Sequence, residues 1–104
     1  MALPGSEIPR EWLVEQLPSF DLVDAVRFEH RRMQFGKDRV EDVVSRITPD
    51  IRLRWCDFTS LALPGDSLWY FCSSDESWRN LAGRSGFAIV RDGIPIAATV
   101  TCMN

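Results

Sequence analysis

The sequence is poor in the residues that build metal and nucleophile sites, with one histidine, His30, in 104 residues. Any histidine-based triad or metal site must therefore include His30. The three cysteines, Cys56, Cys72 and Cys102, lie in apolar stretches and lack Cys-x-x-Cys spacing. Their odd number and their positions argue against a disulfide framework and against zinc. We expect reduced thiols in a cytoplasmic protein that uses no metal and no cofactor.

The chain also lacks an excess of positive charge and long apolar runs. Its formal net charge is −3, whereas nucleic-acid binding normally requires a basic surface. No apolar stretch approaches the roughly 18 residues of a membrane-spanning helix, and no basic segment followed by an apolar run indicates a signal peptide. We therefore expect neither a nucleic acid nor a membrane as a partner.

The length predicts a single domain, residues 1–104, in which residues 1–8 form a flexible tail. Three helices are expected next: residues 9–17, residues 21–35, and a stretch with the apolar stripe Val40, Val43, Val44 and Ile47. Ser19 or Asp21 caps the second helix, and Gly36 ends it. Residues 51–58 fit either a strand or a helix, and a helix is the favoured interpretation.

Residues 64–104 predict a strand, a short helix and a β-hairpin. The strand covers residues 68–72, and the capping-box spacing of Ser73 and Glu76 opens a helix that Gly83 closes. A two-residue Asp-Gly turn then joins strands over 86–91 and 94–101. The predicted fold class is α+β, with N-terminal helices packed on one face of a small three-stranded, largely antiparallel sheet that includes this C-terminal hairpin.

The hairpin turn also predicts which residues share a face of the sheet. The expected pairs are Ile89 with Ile96 and Phe87 with Ala98, and Val100 and Cys102 continue this bulky face, which should meet the helices. The other face carries the small or flat residues Ala88, Val90, Ala97, Thr99 and Thr101. We expect this second face to receive a closely packed helix or a second subunit, so a homodimer is a further expectation.

The C-terminal part of the chain resembles a group of short bacterial hypothetical proteins. The residues that carry the resemblance are Gly65-Asp66-Ser67-Leu68-Trp69, Ser77-Trp78, Leu81-Ala82-Gly83-Arg84, Gly86, Val90-Arg91-Asp92-Gly93, Val100-Thr101 and Met103-Asn104. The resemblance covers about the last forty residues, and no activity is associated with the group. It therefore implies nothing about mechanism.

The predicted helix over 21–35 carries the main candidate for a partner-binding surface. Phe28 and Phe35 are seven residues apart on the face opposite the apolar stripe, and Arg31 and Arg32 lie beside them. A helix with apolar residues on two faces is either enclosed within the fold or presents one face to a partner. Aromatic residues and arginine are enriched in interface hot spots, and internal packing of the two rings is the alternative.

Three further residues are candidates for chemistry. Glu29 lies on the apolar stripe, so it is either a carboxyl group with a raised pKa or the partner of an arginine such as Arg52 or Arg54. Arg84, in the predicted loop between two glycines, could bind a carboxylate or phosphate. Cys72 precedes a helix N-terminus, but the acidic residues of that helix favour a buried thiol over a nucleophile.

The sequence therefore predicts a non-enzymatic protein-interaction domain, such as an inhibitor or an immunity-type binder of another protein. Its partner-binding residues would be Phe28, Arg31, Arg32 and Phe35. The alternative is a small ligand-binding protein or enzyme with a pocket near Cys72 and Arg84. An enclosed pocket with converging polar groups would favour the alternative.

Overall fold

The computed structural model describes residues 2–33 and 39–103, and these residues form an antiparallel sheet of five strands with helices on one face. The strands are β1 (Ala2–Pro4), β2 (Leu13–Gln16), β3 (Ser67–Cys72), β4 (Arg84–Arg91) and β5 (Ile94–Met103). The helices are α1 (Leu22–Met33), α2 (Val40–Ser45), α3 (Pro49–Thr59) and α4 (Asp75–Arg79). None of the helices in these two ranges has the length and apolar character needed to cross a membrane.

The strand order is β1-β5-β4-β3-β2, which places the two N-terminal strands at opposite edges of the sheet. The predicted three-stranded sheet is therefore wrong, although the α+β class is correct. The additional strands arise from residues 1–8, predicted as a flexible tail, and residues 9–17, predicted as a helix. Pairing of β1 with β5 and of β2 with β3 determines their conformation, because long-range pairing overrides the weak local preference of short segments.

Residues 5–12, here called the crossing segment, connect the two edges across the face of the sheet that α1 does not cover. The segment contains two short 3₁₀ turns, Gly5–Glu7 and Arg10–Trp12. Ile8 is buried against Phe71 and Ala98, and the ring of Trp12 stacks on that of Phe71 with 6.5 Å between centroids. The chain therefore covers this face with its own N-terminal residues.

Close approach of the crossing segment depends on small residues on both sides. Ala88 and Ala98 are fully buried beneath it. On the other side, a Cβ atom added to Gly5 would lie 2.1 Å from the carbonyl oxygen of Pro95, so this contact requires glycine. The small-residue face predicted from the hairpin, the main reason to expect a homodimer, does not form as one surface: Ala88 lies beneath the crossing segment, whereas Ala97 belongs to the apolar cluster of the opposite face. The homodimer itself stays a prediction.

The opposite face of the sheet packs against α1 and α3. Ala25 of α1 and Phe58 of α3 are buried in one apolar cluster with sheet residues that include Phe87. The ring of Trp55 meets that of Phe87 edge-on, with centroids 5.5 Å apart and planes at 89°. The indole N–H of Trp55 donates to the carbonyl oxygen of Phe20 at 2.8 Å. This cluster attaches α3 to the sheet and to the segment before α1.

The β-hairpin forms as predicted, but its register shifts within the strands. Asp92 and Gly93 adopt positive φ angles of 53° and 78°, as a type I′ turn requires. The observed pairs are Ile89 with Ala97 and Phe87 with Thr99, in place of the predicted Ile96 and Ala98. The expected pairs are wrong because an irregularity after Ile89 inserts an extra residue into β5.

Polar side chains cap the starts of α1 and α3. The Asp21 side chain accepts a hydrogen bond from the backbone N–H of Asp24 at 3.0 Å, which caps α1. Thr48 caps α3 in the same way, by accepting from Ile51 at 3.2 Å, with a proline in the first turn. The favoured helical interpretation of residues 51–58 is therefore confirmed, whereas the predicted terminator Gly36 lies outside the described residues.

The end of α4 differs from the expectation that Gly83 closes it. The N–H of Leu81 donates to the carbonyl of Trp78 at 3.3 Å, and the N–H of Ala82 donates to that of Ser77 at 2.8 Å, which is a Schellman turn. Leu81 has a φ of 58° and a side chain that is 77% exposed. Gly83 is required for another reason, because its Cβ would lie 2.1 Å from the Trp78 ring.

Candidate functional site

The predicted partner-binding residues of α1 differ in their exposure. The ring of Phe28 is half-buried and lies 5.5 Å from the ring of Tyr70, centroid to centroid. Arg31 and Arg32 are exposed, and Phe35 lies outside the described residues. Phe28 therefore contributes to internal packing while part of its surface remains accessible.

Two clefts adjoin along α1 and share Phe28 and Arg31, and together they are here called the α1 groove. The larger cleft has a volume of about 530 Å³. Its lining residues are Leu17, Pro18, Asp24, Arg27, Phe28, His30, Arg31 and Val40. The smaller cleft, of about 240 Å³, is lined by Glu15, Phe28, Arg31 and Arg32. The half-buried ring of Phe28 thus lies between two depressions bordered by arginine.

A third cleft, here called the Glu29 cleft, lies between α1, α3 and β5 and has a volume of about 370 Å³. Its lining is mainly apolar: Leu22, Ala25, Val26, Glu29, Ile51, Arg54, Trp55, Phe87, Thr99, Val100 and Thr101. Glu29 is half-buried in it. The sequence had placed Thr101 on the opposite face of the sheet, and the register shifts of the hairpin bring it to Glu29.

The carboxyl group of Glu29 is held by Thr101 and not by an arginine. The Thr101 hydroxyl donates to Oε2 of Glu29, and it also lies 3.4 Å from the carbonyl oxygen of Ser85. Burial raises the pKa of Glu29, and the hydrogen bond from Thr101 opposes this shift. Arg54, one of the two arginines expected to pair with Glu29, instead forms a salt bridge of 3.0 Å with Asp50.

Because it has two contacts, the Thr101 hydroxyl can form a hydrogen bond with Glu29 in either protonation state of the carboxyl group. When the carboxyl group is ionised, Thr101 donates its proton to Oε2. When the carboxyl group is protonated, its O–H can donate to Thr101, whose own proton then turns to the carbonyl oxygen of Ser85 at 3.4 Å. The local hydrogen bonding therefore accommodates a neutral Glu29 without leaving a donor unmatched.

Tyr70 lies below α1 in the same region and is almost completely buried. Its burial raises the pKa of its hydroxyl group, and the neighbouring Ser85 side chain opposes this shift. The electrostatic neighbours of that hydroxyl include Cys72, Glu29 and Arg32. Polar groups from α1, β3, β4 and β5 therefore converge beside the apolar core.

The alternative site near Cys72 and Arg84 has a different geometry from the predicted loop. Cys72 is the last residue of β3 and pairs with Ser85 of β4, and Arg84 is the first residue of β4. The backbone N–H of Arg84 donates to the Ser73 hydroxyl at 2.9 Å. Ser73, the predicted cap of α4, thus binds the neighbouring strand, and Ser74 caps the helix instead. Neither Cys72 nor Arg84 lines the α1 groove or the Glu29 cleft.

Within residues 2–33 and 39–103, no group of three or more His, Cys, Asp or Glu side chains is arranged to hold a metal ion. The resemblance of the C-terminal residues to short bacterial proteins stays a prediction. Comparison of the chain with protein-family models, with curated proteins and with solved structures found no match.

Proposed function

We propose that this protein is a non-enzymatic interaction domain whose α1 groove binds an acidic segment of another protein. The observation that carries the proposal is the position of Phe28 and Arg31, which border both clefts of the groove. An accessible aromatic ring beside arginine is the composition found at the centre of many protein interfaces. The shape of two adjoining depressions suits two successive side chains of a bound segment.

The charges around the groove specify the partner's chemistry. The arginines Arg27, Arg31 and Arg32 are exposed along α1 and outnumber the two carboxylates of the groove, Asp24 and Glu15. Arg side chains bind carboxylates through two parallel hydrogen bonds. Leu17, Pro18 and Val40 add apolar surface to the larger cleft. An acidic segment with one or two apolar side chains therefore matches the groove, and its association would be accelerated by charge and weakened by salt.

The cellular compartment in which the protein acts is part of the same proposal. Cys56, Cys72 and Cys102 are free thiols, and Cys56 is exposed. Free thiols persist in reducing compartments, which favours the cytoplasm as the place of action. An inhibitor or an immunity-type binder is the class of function that this setting and this surface suit.

The proposal can be tested by selecting peptides from a displayed random library on the immobilised protein. We expect enrichment of peptides that combine Asp or Glu with an aromatic or aliphatic residue. The double variant Arg31→Glu/Arg32→Glu should weaken their binding at least about a hundredfold, since unfavourable charge pairs cost several kcal/mol at an interface. Both side chains are exposed, so the variant should keep the wild-type fold.

Arg52→Glu on α3 is the matched control, because Arg52 is exposed but does not line the α1 groove. It should bind the selected peptides as tightly as the wild type. Equal binding by the wild type and the α1 double variant would contradict the proposal. Failure to enrich any peptide over an unrelated protein would also contradict it.

A further inference from the structure

The Glu29 cleft has the size and lining of a small-molecule site, independently of the α1 groove. Its volume of about 370 Å³ lies in the range of about 300–1,000 Å³ that is usual for ligand pockets. Its walls come from three elements, α1, α3 and β5, together with Phe87 of β4. The rings of Trp55 and Phe87 stand at right angles within it. Because the two rings are in edge-on contact, they form one continuous aromatic wall against which an apolar group can pack.

One oxygen atom of the Glu29 carboxyl group has no partner among the described residues. Thr101 occupies Oε2, whereas no described donor contacts Oε1. Glu29 lines the cleft and is only half-buried. A ligand in the cleft can therefore reach this oxygen atom.

Glu29 is the principal charge of the cleft, as the positions of its charged and titratable neighbours show. Arg54 of α3 lines the cleft, but its exposed side chain is paired with Asp50. On the sheet side, Tyr70 and Cys72 are the nearest titratable groups, and Arg32 of α1 acts on Tyr70. Neither Tyr70, Cys72 nor Arg32 lines the cleft.

We propose that the Glu29 cleft binds a small organic cation, a molecule with an apolar body and one primary ammonium group. The ammonium group would donate a hydrogen bond to Oε1 of Glu29, and the apolar body would pack against the aromatic wall of Trp55 and Phe87 and against the aliphatic side chains of α1. The aromatic rings add cation–π attraction for the ammonium group. An anionic ligand would place a second negative charge beside Glu29, and a neutral ligand would gain no ion pair.

The test compares two probes of nearly the same shape, 2-phenylethylamine and 2-phenylethanol, in NMR titrations at pH 7.5. We expect the amine to bind at least tenfold more tightly than the alcohol, with shift changes at Trp55, Phe87 and Thr101. In Glu29→Gln the amine should bind no more tightly than the alcohol, whose own affinity should be unchanged. Gln keeps an oxygen acceptor for Thr101, so the cleft should retain its shape.

Asp57→Asn is the matched control, because Asp57 is an exposed carboxylate of α3 that lines neither this cleft nor the α1 groove. It should leave both affinities unchanged. A second readout on the wild type does not depend on any variant: amine affinity should fall as Glu29 takes up a proton in acid, while alcohol affinity stays constant. Equal affinity for the two probes, no binding at millimolar concentration, or tight amine binding by Glu29→Gln would each overturn the proposal.

Discussion

Burial of the Glu29 carboxyl group couples the stability of the fold to pH. Because burial raises the pKa of Glu29 above its ordinary value of 4.5, the folded state holds this proton to a higher pH than the unfolded state does. The contribution of the group to stability is therefore full below pH 4.5 and is lost as pH rises through the folded pKa. Above its folded pKa, Glu29 is a partly desolvated negative charge within the fold.

Glu29→Gln should stabilise the protein at pH 7 and above, because the variant has no charge to desolvate. The gain corresponds to about 1.4 kcal/mol for each unit by which the two pKa values differ, and it should disappear below pH 4.5. Urea unfolding of both proteins between pH 4 and pH 8 measures this difference. A gain that is independent of pH would contradict the stated cause, and Asp57→Asn should show no comparable gain.

The contribution of Asp66 to stability should depend on pH in the opposite direction to that of Glu29. Arg91 donates from Nε to Oδ1 at 2.9 Å and from Nη2 to Oδ2 at 2.8 Å, and the N–H of Leu63 donates to Oδ2 at 2.8 Å. These hydrogen bonds lower the pKa of Asp66 below its ordinary value of 3.8. Its contribution to stability is therefore present above pH 3.8 and is lost as pH falls through the lower folded pKa.

Asp66→Asn should accordingly melt at a lower temperature than the wild type at pH 7, and the difference should narrow below pH 3.8. Thermal unfolding, monitored by circular dichroism, measures this difference in melting temperature. Asp50→Asn is the control, because the pair of Asp50 with Arg54 is 65% and 78% exposed and exposed pairs contribute little. If Asp50→Asn lowered the melting temperature as much as Asp66→Asn, the bidentate geometry would have no special importance.

At the scale of single residues, the sequence predicted the unusual position of Glu29 but not its hydrogen-bond partner. The helical period placed the carboxyl group on an apolar stripe, which is sufficient to expect a perturbed pKa. Thr101 is far away in sequence, and its side of the sheet depends on two irregularities in β5 that no turn motif reveals. A prediction limited to charge pairing therefore favoured an arginine.

At the scale of secondary-structure elements, the turn that ends α4 contains a residue that conflicts with its backbone conformation. Leu81 has a positive φ at the position of the Schellman turn where glycine is preferred. A left-handed conformation costs a residue with a Cβ atom about 1–2 kcal/mol. The exposed side chain of Leu81 recovers little of this cost by packing.

Leu81→Gly should therefore stabilise the protein, by up to about 1 kcal/mol after the greater freedom of glycine in the unfolded chain is subtracted. Leu81→Ala is the matched control: it removes the same exposed side chain but keeps the Cβ atom, so its stability should stay near that of the wild type. Chemical denaturation measures both variants. Equal stabilisation by the two would show that loss of the exposed leucine, and not relief of the backbone, is the cause.

Elements with a strong local pattern were predictable, and elements defined by distant partners were not. The Asp92-Gly93 turn, the apolar β3 and the capped α1 each depend on residues close in sequence. β1 and β2 are only three and four residues long, so they contain too few residues for a period of two to be recognised. Their strand conformation comes from β5 and β3, respectively.

For the whole molecule, the crossing segment joins both edges of the sheet and covers one of its faces. Gly5→Ala should displace this segment, because the added Cβ atom would meet the backbone of Pro95 and Ile96, which cannot move aside without disturbing β5. We expect a loss of roughly 1–3 kcal/mol, as for other overpacked contacts. Amide hydrogen exchange should accelerate most at Ile8 and in β1, ahead of the helices.

Ser6→Ala is the control for this change, because Ser6 is exposed in the same turn and should leave exchange unchanged. Displacement of the segment would also uncover Phe71 and Ala98, so Gly5→Ala should associate more readily than the wild type in light scattering. Uniform acceleration of exchange throughout the protein would mean that the segment does not open as a separate unit.

The position of the crossing segment has a consequence for biosynthesis. β1 is synthesised before the other described elements, yet its pairing partner β5 is made after all of them. Neither the first strand nor the burial of Ile8 can be completed co-translationally until residues 94–103 have left the exit tunnel. Such distant pairing slows folding, since a large loop must close before any contact is gained. The nascent chain therefore presents the apolar residues of β1 and the crossing segment to the cell's chaperones until β5 has been made.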